Sequence, residues 1–318
     1  MKRIIALGAA LMFYVCAHAQ MFPTKPIRLV VSYPPGGGAD LMARLAAPRM
    51  AEALGQPVVV ENKPGASGQI AAAEVARAPA DGYTLLFDAS NFAVNPTLFP
   101  SLPYDAARAF RPIAVLALFP NVLVVTPSFP ARDVRELIAM AKEKPGTLAF
   151  ASSGNGSAQH LSGELFRQKA AIDITHVPYK GGAPALNDVM GGQVPMFFAN
   201  MASSLQLVKA GKVRALAITG AHRSAALPDA PTMAQAGVAG YEVYEWNAIL
   251  APAGTPGPVV ARIADAAAKA MQAAEFRERV AALGGEIAAY GPAESDRFIR
   301  EQTELWGRVV RAANIKAD

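Results

Sequence analysis

The chain has 318 residues, a formal charge of +5 and a single cysteine. That length supports a sizeable core and sets two domains as the starting expectation. Lone Cys16 excludes a disulfide framework and a cysteine metal site, and scattered basic residues without interleaved aromatics exclude a nucleic-acid surface.

Residues 1–19 read as an export leader. Lys2 and Arg3 give a positive start, 4–16 is almost wholly apolar, and Ala17-His18-Ala19 has the small-x-small pattern that export peptidases cut. Cleavage after Ala19 leaves Gln20 first and removes the cysteine. It also removes two basic residues, so the +5 falls to +3. The apolar run is too short to span a bilayer comfortably, and no later segment has about eighteen uninterrupted apolar residues. Lipidation at Cys16 is disfavoured, because Phe13-Tyr14-Val15 lacks the small residue expected before an acceptor. An exported protein with no membrane span is expected.

The first strand is 27–31, a β-branched apolar run. Pro34 and Pro35 stop it. Gly36, Gly37 and Gly38 let the backbone turn tightly, Ala39 and Asp40 follow, and a helix is predicted over 41–54 with a kink or early break at Pro48. Strand, bare turn and helix N-terminus make an anion site, because the first helical N–H groups have no internal partner. No dinucleotide or phosphate-loop motif is present, and an empty tight turn is the competing reading. A second strand is predicted at 57–61, then a helix capped by Ser67 and running to Arg77, then a third strand at 83–87. Asp88 to Pro96 reads as a long polar loop beyond a strand's carboxyl end, where open α/β sheets bind ligands. The apolar stretch 113–126 exceeds an ordinary strand. It reads as two segments, with the chain crossing between domains near Pro120.

A second α/β set follows: helix 133–143, strand 148–151, a small-residue turn at 152–157, then helix 158–169. This repeats the opening stretch, and two such turns in different halves can face each other across a cleft. Then come strand 172–177, a helix to Met190, strand 194–198, helix 205–210 and strand 213–219, with the second crossing placed near Gly220. A short helix at 232–236, an extended stretch at 242–250 and helices at 259–272, 275–283 and 293–313 complete the reading. Phe298, Ile299, Leu305, Trp306 and Val309 form the buried stripe of the last helix. The alternation defines an α/β protein.

Three histidines follow the leader. His160, in the first turn after the second glycine turn, is placed to donate to an anion held there. His176 lies in a strand and reads as packed or edge-exposed. His222 has no evident partner. No spacing suits a metal. Ser157 lacks the strained G-x-S-x-G elbow of a hydrolase nucleophile. A hydrolase or lyase built on Ser157 and His160 is therefore the lesser reading.

Seven stretches carry a family resemblance: PTKPIRLVV at 23–31, PPGGGAD at 34–40, GQPVVVENKPGA at 55–66, ADGYTLL at 80–86, ASSGNGS at 151–157 with His160, HVPYKGG at 176–182 and APAGTP at 251–256. In this order they make the chain resemble the periplasmic substrate-binding receptors of tripartite tricarboxylate transporters, often called Bug proteins. The resemblance implies a two-domain periplasmic-binding-protein type II (Venus flytrap) fold with two crossing strands at the hinge. Domain one would be 20–119 with 221–318, and domain two 120–220. It implies a monomeric, non-catalytic periplasmic receptor without cofactor, metal or nucleic acid. Such a receptor takes a di- or tricarboxylate, amino acid or aromatic acid and presents it to membrane permease subunits. A sensor protein is the other partner class. The implied ligand-binding set is Tyr33, Gly36, Gly37, Gly38, Ala39, Asp40, Phe92, Ser153, Asn155, Gly156, Ser157, His160, Asn200 and Trp246, with Phe92, Asn200 and Trp246 as walls. Family members often carry Asp-Asn where this chain has Ala199-Asn200, and Thr-His where it has Asn91-Phe92. Asp88 adds a carboxylate nearby, as an ammonium acceptor or, preferably, a turn cap.

Overall fold

The computed structural model describes residues 22–36 and 38–316. The leader and Gly37 lie outside the described residues. In chain order the elements are β1 (Ile27–Val31), α1 (Gly38–Leu54), β2 (Val58–Asn62), α2 (Gln69–Ala76), β3 (Thr84–Ala89), α3 (Asn91–Leu98), β4 (Phe110–Val125), α4 (Val134–Glu143), β5 (Ala149–Ser152) and α5 (Ala158–Ala170). They continue with β6 (Thr175–Pro178), α6 (Gly182–Met190), β7 (Met196–Asn200), α7 (Met201–Lys209), β8 (Arg214–Ile218), β9 (Tyr244–Pro252), α8 (Gly257–Gln272), α9 (Ala274–Ala282), β10 (Glu286–Tyr290) and α10 (Pro292–Ala312).

The strands run β2-β1-β3-β9-β4-β7-β5-β6, with β8 and β10 also pairing with β4. β1 is parallel to β2 and β3, and β5 is parallel to β6 and β7, as βαβ units require. β9 lies antiparallel between β3 and β4. Two half-sheets result, and β4 belongs to both.

That corrects the reading of 113–126 as two segments. One strand of 16 residues continues through Pro120. Its pairing with β9 ends at Pro120 opposite Tyr244, and its pairing with β7 starts at Asn121 opposite Asn200. Proline has no N–H to give a ladder, so the change of partner falls where the ladder would be interrupted anyway. The chain returns near Tyr244. The stretch 221–243 before it is tied to β8 and α5: Met233 donates its N–H to Ile218, and Tyr241 Oη donates to the Ser162 carbonyl.

Each half-sheet is covered on both faces. Ile27, Leu29, Val31 and Phe87 pack on Met42 and Met50 of α1 and Ile263 of α8. Val30, Leu86, Val115 and Trp246 share a second cluster with Ile299, Trp306 and Val309 of α10, and this cluster continues into Leu161 and Phe166 of α5. Val122, Val124 and Phe197 pack on Leu186, Val189 and Leu205. The stripe expected on the last helix is thus the face it buries, with Phe298 and Leu305 at its margin.

Other local expectations change. α1 does not end at Pro48, which sits on its exposed face. Ser67 does not cap α2: it adopts φ +53° in a short 3₁₀ turn, and α2 starts after left-handed Gly68. Asp88 to Pro96 is no loop. Asp88 and Ala89 finish β3, and Asn91 begins α3. Asn91 and Asn95 lie one turn apart, and both amides donate to the Ser67 carbonyl, while Phe92 and Leu98 enter the core. Residues 232–236 make turns, with Thr232 bridged to Ile218. Strand β10 was not expected within the helical tail.

Candidate functional site

Both glycine turns leave the carboxyl end of a parallel strand and enter a helix. The first joins β1 to α1. Gly36 has φ +82°. Its N–H donates to Asp40 Oδ2 at 2.8 Å, and Asp40 also accepts from Arg44 Nε at 2.9 Å and Asn62 Nδ2 at 2.8 Å. Burial pushes the Asp40 carboxyl up, but the bonds from Arg44, Gly36 and Asn62 outweigh it and hold it below its ordinary value. Asp40 is therefore the brace of the turn. Gly38 and Ala39 open α1, so their N–H groups have no helical carbonyl to receive them.

The second turn joins β5 to α5. Ser157 caps α5: its Oγ accepts from the His160 N–H and donates to the Gly154 carbonyl at 2.7 Å. Gly156, at φ +70°, donates its N–H to His160 Nδ1 at 3.1 Å. An acceptor Nδ1 fixes the neutral ring with its proton on Nε2. The His160 ring stacks on His176 with centroids 3.6 Å apart, and His176 Nε2 lies 2.6 Å from Ser152 Oγ. His160 is 4% exposed. Desolvation, then the His176 and Arg167 charges, push it down to about 3. His160 braces the turn from inside as a neutral ring whose remaining donor is Nε2–H, 3.8 Å from Glu164 Oε1. The same geometry removes the Ser157–His160 nucleophile pair, because Ser157 and His160 Nδ1 are each committed to the turn.

The histidine's sign in a stability curve follows. Its folded value lies below the unfolded 6.5, so between about 6.5 and 3 the unfolded chain binds the extra proton and stability falls as pH falls. The expected loss attributable to His160 is on the order of 4 kcal/mol at pH 3. Burial, opposed by Ser32, the Ala89 N–H and Asn91, raises Asp88 to about 7; burial, opposed by Asn200 and Gln159, does the same for Glu245. Those two act in the opposite direction, gaining stability as pH falls below about 7. Melting temperature against pH for wild type and His160→Asn isolates the histidine, because the carboxylates cancel in the difference. Parallel curves would refute the assignment.

Other expected residues divide. Tyr33 Oη donates to Asn91 Oδ1. Asn200 caps α7, its Oδ1 accepting from the Ala202 N–H. Ser153 and Asn155 lie half-buried in the second turn. The two expected aromatic walls are buried. Phe92, on α3, packs edge-on against Phe110 of β4, and Trp246, on β9, packs against Phe298 of α10, with its Nε1 unpartnered among the described residues. Asp88 is 1% exposed and accepts from Ser32 Oγ at 2.6 Å, leaving Oδ2 without a partner among the described residues. Among the described residues no cluster of three or more histidines, cysteines, aspartates and glutamates could hold a metal, and no helix is long and apolar enough to cross a membrane.

Sequence reasoning missed Glu245. Gln159 Nε2, in the first turn of α5, donates to its Oε1, and Asn200 bonds to it as well. The signal was available: the one charged residue in the largely apolar run Tyr244-Glu245-Trp246-Asn247-Ala248-Ile249-Leu250. The two halves meet nearby, where Leu98 at the end of α3 fills the space beside Gly156.

Two half-sheets sharing one long strand, each sending a glycine turn into a helix N-terminus, define a two-domain α/β solute receptor of the periplasmic-binding-protein type. The family model "Tripartite tricarboxylate transporter family receptor" matches residues 42–315, and the chain belongs to that family. It is 37% identical to Protein BugT of Bordetella pertussis over 300 residues, 94% of this chain and 92% of that one. Among solved structures, R. palustris Rpa4515 with adipate is 38% identical at TM-score 0.82, covering 93% of this chain and 99% of that one. MatC (Rpa3494) from Rhodopseudomonas palustris with bound malate is 33% identical at TM-score 0.78, covering 91% and 100%. The family and these neighbours are substrate-binding proteins, not enzymes.

Proposed function

We propose that the chain is a periplasmic receptor that takes a small carboxylate-bearing metabolite between its lobes, closes on it by hinge motion and delivers it to the permease subunits of a tripartite tricarboxylate transporter. The observation that carries this reading is the pair of braced glycine turns, one on each side of the partner switch in β4. The first-turn N–H groups of α1 and the turn 153–157 are the carboxylate clamp, with Tyr33 and Asn200 beside it. The lobes are 20–119 with the C-terminal segment, and the stretch after Pro120. The hydrogen bonds of 221–243 to β8 and α5 support placing that stretch in the second lobe, with the second crossing near Tyr244 in place of Gly220. The mature protein starts at Gln20 and acts as a monomer. The adipate and malate of the two solved neighbours support a carboxylate of this size.

Protein stripped of endogenous ligand by unfolding and refolding is to be screened by thermal shift with di- and tricarboxylates, amino acids and aromatic acids. At least one carboxylate should raise the melting temperature in a concentration-dependent way. No stabilisation by any of them would end this reading.

A further inference from the structure

Glu245 opens β9 one residue after the chain's return between the half-sheets. β9 runs antiparallel to β3 with Asn247 opposite Ala89, so Glu245 lies beyond the carboxyl end of β3. That is the edge from which Tyr33 and the first glycine turn emerge. The other half reaches the same carboxylate through two amides, Gln159 from the first turn of α5 and Asn200 from the start of α7. The Asn200 carbonyl is committed to the Ala202 N–H, so its NH₂ faces Glu245. Gln159 also presents its NH₂. Glu245 thus accepts from both amides, and a carboxylate offers about four acceptor positions.

Its partners are neutral. Burial raises its carboxyl to about 7, opposed by the bonds from Asn200 and Gln159, although its side chain keeps partial access to solvent. An ionised carboxylate desolvated with only neutral donors is costly, and a cation arriving with the ligand would offset that cost. A second, independent observation has the same sign. Asp88 has an unpartnered buried Oδ2, and both Asp88 and Glu245 act electrostatically on Tyr33. Both carboxyls thus lie close enough to Tyr33 to act on it, while the turns themselves offer N–H donors.

We propose that Glu245 receives the ammonium group of a ligand whose carboxylate is held by the glycine turns, so that the preferred ligand is an amino acid rather than a bare carboxylate. This rests on the receptor reading above and narrows it. Gln159 and Asn200 are positioning residues that aim the Glu245 carboxylate. A hydroxyl at the same carbon would offer a donor without the charge.

The test uses the refolded full-length mature protein and calorimetric titration with ligands of matched skeleton: succinate, malate and aspartate; glutarate and glutamate; 3-phenylpropionate and phenylalanine. In at least one series the amino acid should bind tenfold or more tightly than its deaminated counterpart. Glu245→Gln should reduce that ratio at least tenfold without weakening the deaminated member. Deaminated ligands binding as tightly in every series would overturn the proposal while leaving the receptor reading intact. If the four-carbon series is the one that shows the preference, malate matching aspartate would overturn the ammonium assignment. No binding by any member would overturn both readings. If Glu245→Gln does not fold, the wild-type ratios alone decide.

Discussion

Gly156→Ala should lower affinity for the carboxylate ligand about 100-fold, or about 2.7 kcal/mol. Two costs converge at this position. Gly156 has φ +70°, where a Cβ costs roughly 1–2 kcal/mol. That Cβ would also lie 2.1 Å from Leu98 Cδ2, so the buried Leu98 side chain must move or the turn must open. Opening the turn breaks the bond from the Gly156 N–H to His160 Nδ1, which orients the neighbouring N–H groups. Titration of the ligand found by screening measures the loss. Adding Leu98→Ala should relieve the clash but not the strain, leaving a deficit of about tenfold. Wild-type affinity in Gly156→Ala would show that this turn is not part of the clamp.

Gly163→Ala should lower the stability of the whole protein. Glycine in mid-helix is ordinarily a defect, and alanine there gains about 1 kcal/mol. Here the sign reverses. The added Cβ would fall 2.0, 2.4 and 2.6 Å from three ring carbons of Phe150, a fully buried side chain of β5. Overpacking of this kind costs about 1–3 kcal/mol and sometimes more, and a buried ring cannot rotate clear. A net loss of about 2 kcal/mol is expected, lowering the melting temperature by about 3 °C. Phe150→Leu, which removes the ring, should make room for the extra methyl, so that the double variant tolerates Gly163→Ala. Thermal melts of the two single variants and the double variant decide it: a Gly163→Ala protein as stable as wild type would mean that α5 does not lie this close to β5.

Both turns were legible in the sequence because each is written in consecutive residues. An apolar strand, a run of small residues and a helix N-terminus need no distant partner to be recognised. What was not legible depends on partners far along the chain. Nothing within 113–126 shows that β4 changes neighbours at Pro120; that is decided by Tyr244 and Asn200. α3 looked like a loop because Asn91 and Asn95 are poor helix formers alone, and it is the Ser67 carbonyl that takes both amides. β10, Glu-Ile-Ala-Ala-Tyr, carries too little β-branched residue to announce a strand. The bracing of His160 was not legible, since the ring it stacks on, His176, lies in the following strand β6. Glu245 was overlooked because a single charge in an apolar run was read as part of the extended stretch and not as a question about what pays for its burial.

The place of β9 between β3 and β4 sets an order on how the molecule comes into being. Strands β5 to β8 follow β4 directly, so the second half-sheet can close as soon as those residues emerge from the ribosome. The first cannot. β1, β2 and β3 appear early, yet the strand that joins them to β4 is among the last to be made. Until it arrives, β3 and the leading half of β4 have open edges, the condition in which strands recruit the wrong neighbours. The early-made lobe is therefore the late-finished one: its sheet is complete only when β9 has been made.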